Sequence, residues 1–89
     1  MVFIKRTYSM LIYILHFGYI SSEGELSIGC DKPYTNLNIA LERQRALLQN
    51  WKAENSSKDI VHFKIGNYES LSVKDGIAEI QTHIEEYNL

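Results

Sequence analysis

Between positions 36 and 53 apolar and polar residues recur with the period of an α-helix. Leu37, Ala40, Leu41, Leu47, Leu48 and Trp51 fall on one stripe, and Asn38, Glu42, Arg43, Arg45, Gln49 and Lys52 take the opposite side. Thr35 is the expected N-cap, with Tyr34 and Ile39 in the two positions of a hydrophobic staple. Asp31-Lys32-Pro33 breaks whatever precedes the helix, because proline cannot donate to a strand ladder, and Asn55-Ser56-Ser57 ends the helix as a polar loop.

The flanking segments alternate with the two-residue period of strands. From Leu11 to Ile20, Leu11, Tyr13, Leu15, Phe17 and Tyr19 share one face, and Ile12, Ile14, His16 and Ile20 the other. Both faces are largely apolar, which predicts a central strand covered on both sides. Ser21 to Gly24 is a turn cluster, and Glu25 to Cys30 follows as the second arm of a hairpin with Leu26, Ile28 and Cys30 facing one way. After the helix, Val61, Phe63 and Ile65 alternate with Ile60, His62 and Lys64 in a further strand.

The tail supports two readings. As a helix it presents Val73, Ile77, Ile80, Ile84 and Tyr87, with Ser72-x-x-Asp75 imitating a capping box. As strands, Tyr68 to Val73 and Ile77 to Tyr87 flank Asp75-Gly76, a strong hairpin signal, and Ala78, Ile80, Thr82 and Ile84 share a face. Isoleucine and threonine favour the strand, and Gly76 would weaken a helix near its start, so the strand reading is adopted. The elements together predict an α+β fold: a four-stranded antiparallel sheet, in the order β-β-α-β-β, with one amphipathic helix packed on one face.

A length of 89 residues leaves room for one domain, assigned to 10–89, and for no separate catalytic lobe. Residues 1–9 are expected to be an extension with little structure, since Lys5, Arg6 and Thr7 precede the first periodic run and Met10 suits a natural start. The same Lys5-Arg6 and the run from Met10 to Phe17 imitate a signal peptide. Tyr13, His16 and Phe17 are foreign to a plain aliphatic core, however, and no small-x-small cleavage site follows. Leu11 to Ile20 is too short for a membrane helix. A net charge of −2 gives no bulk attraction for nucleic acid, and a single cysteine cannot form an internal disulfide, so a cytoplasmic setting is expected.

The opening Ile12-Tyr13-Ile14-Leu15, the hairpin, the single helix rich in Ala, Leu, Glu and Arg, and the close Ile84-Glu85-Glu86-Tyr87-Asn88-Leu89 resemble small uncharacterised α+β proteins of Gram-positive bacteria and their phages. The resemblance covers most of Met10 to Leu89. It implies an antiparallel sheet crossed by one helix, and it carries over no catalytic or binding residues.

Candidate chemistry is sparse. His16, His62 and His83 lie in different strands and could meet Cys30 or Asp31 around a transition metal, but no local ligand spacing supports this. Cys30 lacks a nucleophile signature and reads as a packing residue. Glu79, Glu85 and Glu86 read as solvated carboxylates rather than an acid–base pair. Tyr13, Phe17, Tyr19 and Phe63 could stack nucleobases, yet the accompanying basic motif is missing and a core role is expected. No catalytic, cofactor or metal residue is assigned, and no enzyme is expected.

One helix covers one face of a sheet. Ile12, Ile14 and Ile20 are therefore the candidate dimer face, and a homodimer is expected. Arg43, Arg45 and Lys52 on the polar side of the helix are the candidate residues for binding a protein partner. The expected function is a non-enzymatic interaction protein, with an inhibitor of a host or defence component carried by a phage as the instance the resemblance implies. The alternative is a small-ligand binding protein, for a nucleotide or metabolite, with its pocket at a sheet-dimer junction.

Overall fold

The computed structural model describes residues 10–89; the expected extension at 1–9 lies outside the described residues. The elements are β1 (Leu11–Ile20), β2 (Leu26–Cys30), α1 (Leu37–Glu54), β3 (Ile60–Ile65), β4 (Tyr68–Val73) and β5 (Glu79–Asn88). They form an α+β fold with one antiparallel sheet in the order β2-β1-β5-β4-β3. The sheet has five strands, which corrects the expected four: three strands, not two, follow the helix. The reason is local. Gly66 and Asn67 form a two-residue turn closing the Ile65–Tyr68 pair, with Gly66 at φ 56°, where a residue bearing a Cβ would be strained. Asp75, at φ 61°, then turns the chain again before β5; aspartate is among the few residues that tolerate this conformation.

The tail is a strand, and it takes the middle of the sheet. β5 pairs with β1 from Leu11–Asn88 to Ile20–Glu79 and with β4 from Tyr68–His83 to Ser72–Glu79. Its predicted inward set is buried: Ala78, Ile80, Thr82 and Ile84. α1 lies across β1, β5 and β4 on that side. Ala40, Gln44, Leu48 and Trp51 are its buried residues, with Leu37, Leu41 and Leu47 partly buried beside them. One apolar cluster joins Leu48 and Trp51 to Leu71, Ala78 and Ile80; a second joins Leu15, Tyr34, Ala40 and Ile84. Each fully buried aliphatic side chain, such as Leu15 or Ile80, contributes about 1.5–3 kcal/mol.

Two details at the helix start differ from expectation. The N-cap is Asn36, whose side-chain oxygen accepts from the Asn38 amide at 2.8 Å, not Thr35. Asparagine caps at least as well as threonine, and the one-residue shift removes the staple. Ile39 is exposed and Tyr34 packs instead into the second cluster. Among the described residues β1 is not covered on both sides. Its Leu15 face meets the helix, while the Ile12–Ile14–His16–Ile20 side belongs to the uncovered face of the sheet, because the single helix is on the other side.

Candidate functional site

The helix side holds the structure's polar tie. Gln44 Nε2 donates to Thr82 Oγ1 at 2.9 Å and to the Asn67 carbonyl at 3.0 Å, and Thr82 Oγ1 donates to the Glu69 carbonyl at 2.6 Å. Gln44 and Thr82 are the buried polar residues among those described, and they join α1, β5 and β4 between the two apolar clusters. A polar residue in the gap of the stripe between Leu41 and Leu47 was the sequence signal for this position.

The three cations proposed for partner binding do not act together. Arg43 Nε is 3.2 Å from Asp31 Oδ2, which also accepts from the Tyr34 hydroxyl at 2.6 Å. The Tyr34 hydrogen bond, then the Lys32 amide and Arg43, hold the Asp31 carboxyl below its usual range despite opposing desolvation. The same bond to Asp31 raises Tyr34, and Asp31 raises Arg43. Arg43 is thus a structural partner of the loop before the helix. Arg45 and Lys52 instead line a groove of about 300 Å³ between α1 and the outer strands, where Lys64, His62 and Glu69 join them. His62 Nε2 sits 2.6 Å from Glu69 Oε2, so the groove's carboxylate is already engaged. Lys64 and His62 were not picked out from sequence as members of this group; their alternation with Val61, Phe63 and Ile65 was the available signal.

The opposite face of the sheet has no covering element among the described residues. Paired positions share a face, so the register sets Ile12, Ile14, His16 and Ile20 of β1 beside Leu26, Ile28 and Cys30 of β2. Val61, Phe63 and Ile65 of β3 lie on the far flank of the same face. Ile28 is 79% exposed and Phe63 is 54% exposed, which corrects the expected core role of Phe63. Between these flanks β5 contributes a polar strip of Glu79, Gln81, His83 and Glu85. Tyr13, Phe17 and Tyr19 are half-buried on the helix side, where Phe17 and Tyr19 pack edge to face.

One row of this open face gathers residues that the sequence scatters. Cys30 pairs with His16, His16 with His83, and His83 with Tyr68. They border a concavity of about 550 Å³ floored at Gly18, and His16 Nε2 is buried there without a hydrogen-bond partner. His62 is on the other side of the sheet, and among the described residues no group of three or more His, Cys, Asp or Glu has metal-holding geometry. Cys30 is exposed, contrary to the packing role expected of it, because on the edge strand β2 it shares the open face with His16, away from the helix. The tail carboxylates do not converge. Glu79 and Glu85 stand six residues apart along β5, and Glu86 points to the other face opposite Tyr13, whose hydroxyl pKa is raised by desolvation and by that charge.

No helix among the described residues is long and apolar enough to cross a membrane. No family model matches the chain, and no curated protein or solved structure matches it.

Proposed function

We propose that this chain is a non-enzymatic interaction protein that pairs with a second copy of itself through the open face of its sheet and binds a protein partner. The observation that carries the reading is that uncovered face, apolar on both flanks: Leu26, Ile28, Ile12 and Ile14 on one side, Val61, Phe63 and Ile65 on the other. Five strands spaced about 4.8 Å, each rising about 3.3 Å per residue, make a face of about 500–700 Å² in plan. That approaches the roughly 800 Å² per partner of a standard interface. A two-fold axis parallel to the strands sets the β2 flank, Leu26 and Ile28, over the β3 flank of the second copy, Val61, Phe63 and Ile65, and leaves the β5 carboxylates Glu79 and Glu85 facing their own copies at the axis. Sedimentation at micromolar concentration tests this: a dimer is expected, and a well-folded monomer overturns it. The resemblance to small uncharacterised α+β proteins of Gram-positive bacteria and their phages supports inhibition of a host or defence component as a concrete instance, tested by capturing the bound protein from the source cell.

The concavity beside His16 supports a second reading, a small-ligand binding protein. It lies on the same face, so a second copy would roof it, and the unpartnered His16 nitrogen offers one polar anchor among apolar walls. Native mass spectrometry of the purified chain decides: a co-purified nucleotide or metabolite supports this reading, and bare protein mass favours the first.

A further inference from the structure

β3 is an edge of the sheet, and among the described residues nothing pairs with its outer side. Its hydrogen-bonding direction follows from the register. Ile65 and Tyr68 close the two-residue turn, and the Lys74 amide donates to the Asp59 carbonyl at 2.9 Å, so residues 59, 61, 63 and 65 bond inward to β4. The backbone N–H and C=O groups of Ile60, His62 and Lys64 therefore point outward. On the helix side this edge runs along the groove bearing Arg45, Lys52 and Lys64, whose one lining carboxylate, Glu69, is held by His62. On the other side it presents Val61, Phe63 and Ile65.

We propose that the outer edge of β3 binds an extended segment of a partner protein as a sixth strand, and that the segment alternates acidic and apolar residues. The proposal rests on the reading of the chain as a protein-interaction module and names the partner's chemistry. Strand addition supplies affinity through the main chain and specificity through alternate side chains. Residues of the added strand opposite His62 and Lys64 fall beside the cationic groove, which favours Asp and Glu. Those between them fall beside Val61, Phe63 and Ile65, which favours Val, Ile or Phe. A second copy of β3 is a poor occupant, because it would bring two cationic grooves together. The chain's net charge of −2 disfavours a nucleic acid, and that polymer would leave the edge amides and the apolar side unused.

The test is fluorescence anisotropy with the full chain and a labelled octapeptide of alternating Glu and Val at low salt. Micromolar binding is expected, at least about tenfold weaker for the Lys-Val counterpart and for a Glu-Val peptide N-methylated at alternate amides. Arg45→Glu with Lys64→Glu should weaken it by a similar factor, whereas Arg43→Glu, at a residue engaged by Asp31, should leave it unchanged. Equal binding of the N-methylated peptide, or equal competition by a DNA oligonucleotide, would reduce the site to a general polyanion surface and overturn the proposal. So would no binding of the Glu-Val peptide. The self-association reading fails separately, since a chain that sediments as a monomer can still bind the peptide at this edge.

Discussion

Asp31 receives the Tyr34 hydroxyl, the Lys32 amide and the Arg43 guanidinium, and its carboxyl is held below the usual range. A carboxylate depressed in the folded state contributes stability that is complete above its unfolded pKa of about 4 and is lost as pH falls through the folded value. Asp31→Asn should therefore lower the urea midpoint at pH 7, and the gap to the unmutated chain should narrow as pH falls below about 4 and close once the folded carboxyl is itself protonated; a gap that does not narrow would assign the effect to packing. Thr82 is a sharper case, because its hydroxyl both accepts from Gln44 and donates to the Glu69 carbonyl in a buried setting. Thr82→Val keeps the shape and removes both bonds, at an expected cost of about 1–3 kcal/mol in urea unfolding. A loss under about 0.5 kcal/mol would mean that the two freed groups find other partners.

Among the elements, the helix is anchored near its C-terminal end by its one tryptophan. Trp51 is 6% exposed and packs with Leu48, Leu71, Ala78 and Ile80. Trp51→Ala should cost about 3–5 kcal/mol, read by thermal or denaturant unfolding, and a cost under about 1 kcal/mol would contradict its burial. The same helix was legible in the sequence because its stripe is long and regular. Its cap was misplaced by one residue because Thr35 and Asn36 are both good caps, and the choice between them depends on where Tyr34 packs. The strand nature of the tail was legible from its isoleucines, threonine and Asp75-Gly76. Its place between β1 and β4 was not, since the pairing of β1 with β5 joins residues 59 to 77 positions apart and leaves no local trace.

At the scale of the whole molecule, the decisive property is a sheet covered on one face only among the described residues. Ile14 is half-buried on the uncovered side, opposite Glu85. Under the proposed self-association, Ile14→Glu should leave the helix-side core intact and give a folded monomer in sedimentation. A variant that stays folded and dimeric would move the interface elsewhere. That Ile12, Ile14 and Ile20 lie away from the helix was legible in the sequence, because the apolar positions on both faces of β1 exceed what one helix can cover. The exposed flank of β3 was not, because Val61, Phe63 and Ile65 read locally as an ordinary core alternation.

The sequence by itself determined the helix, the strands of the first hairpin, the inward set Ala78, Ile80, Thr82 and Ile84, and the α+β class. All of these rest on residue periodicity and turn chemistry, which act over a few positions. Only the tertiary structure decided that β5 is central, that β3 and β2 are the edges, that Arg43 is tied to Asp31 while Arg45 and Lys52 meet Lys64, and that His16 and His83 stand opposite each other. Those outcomes follow from the register of distant strands. One shift of register would flip every side chain to the other face, so it is the burial of the whole inward set against the helix that fixes them.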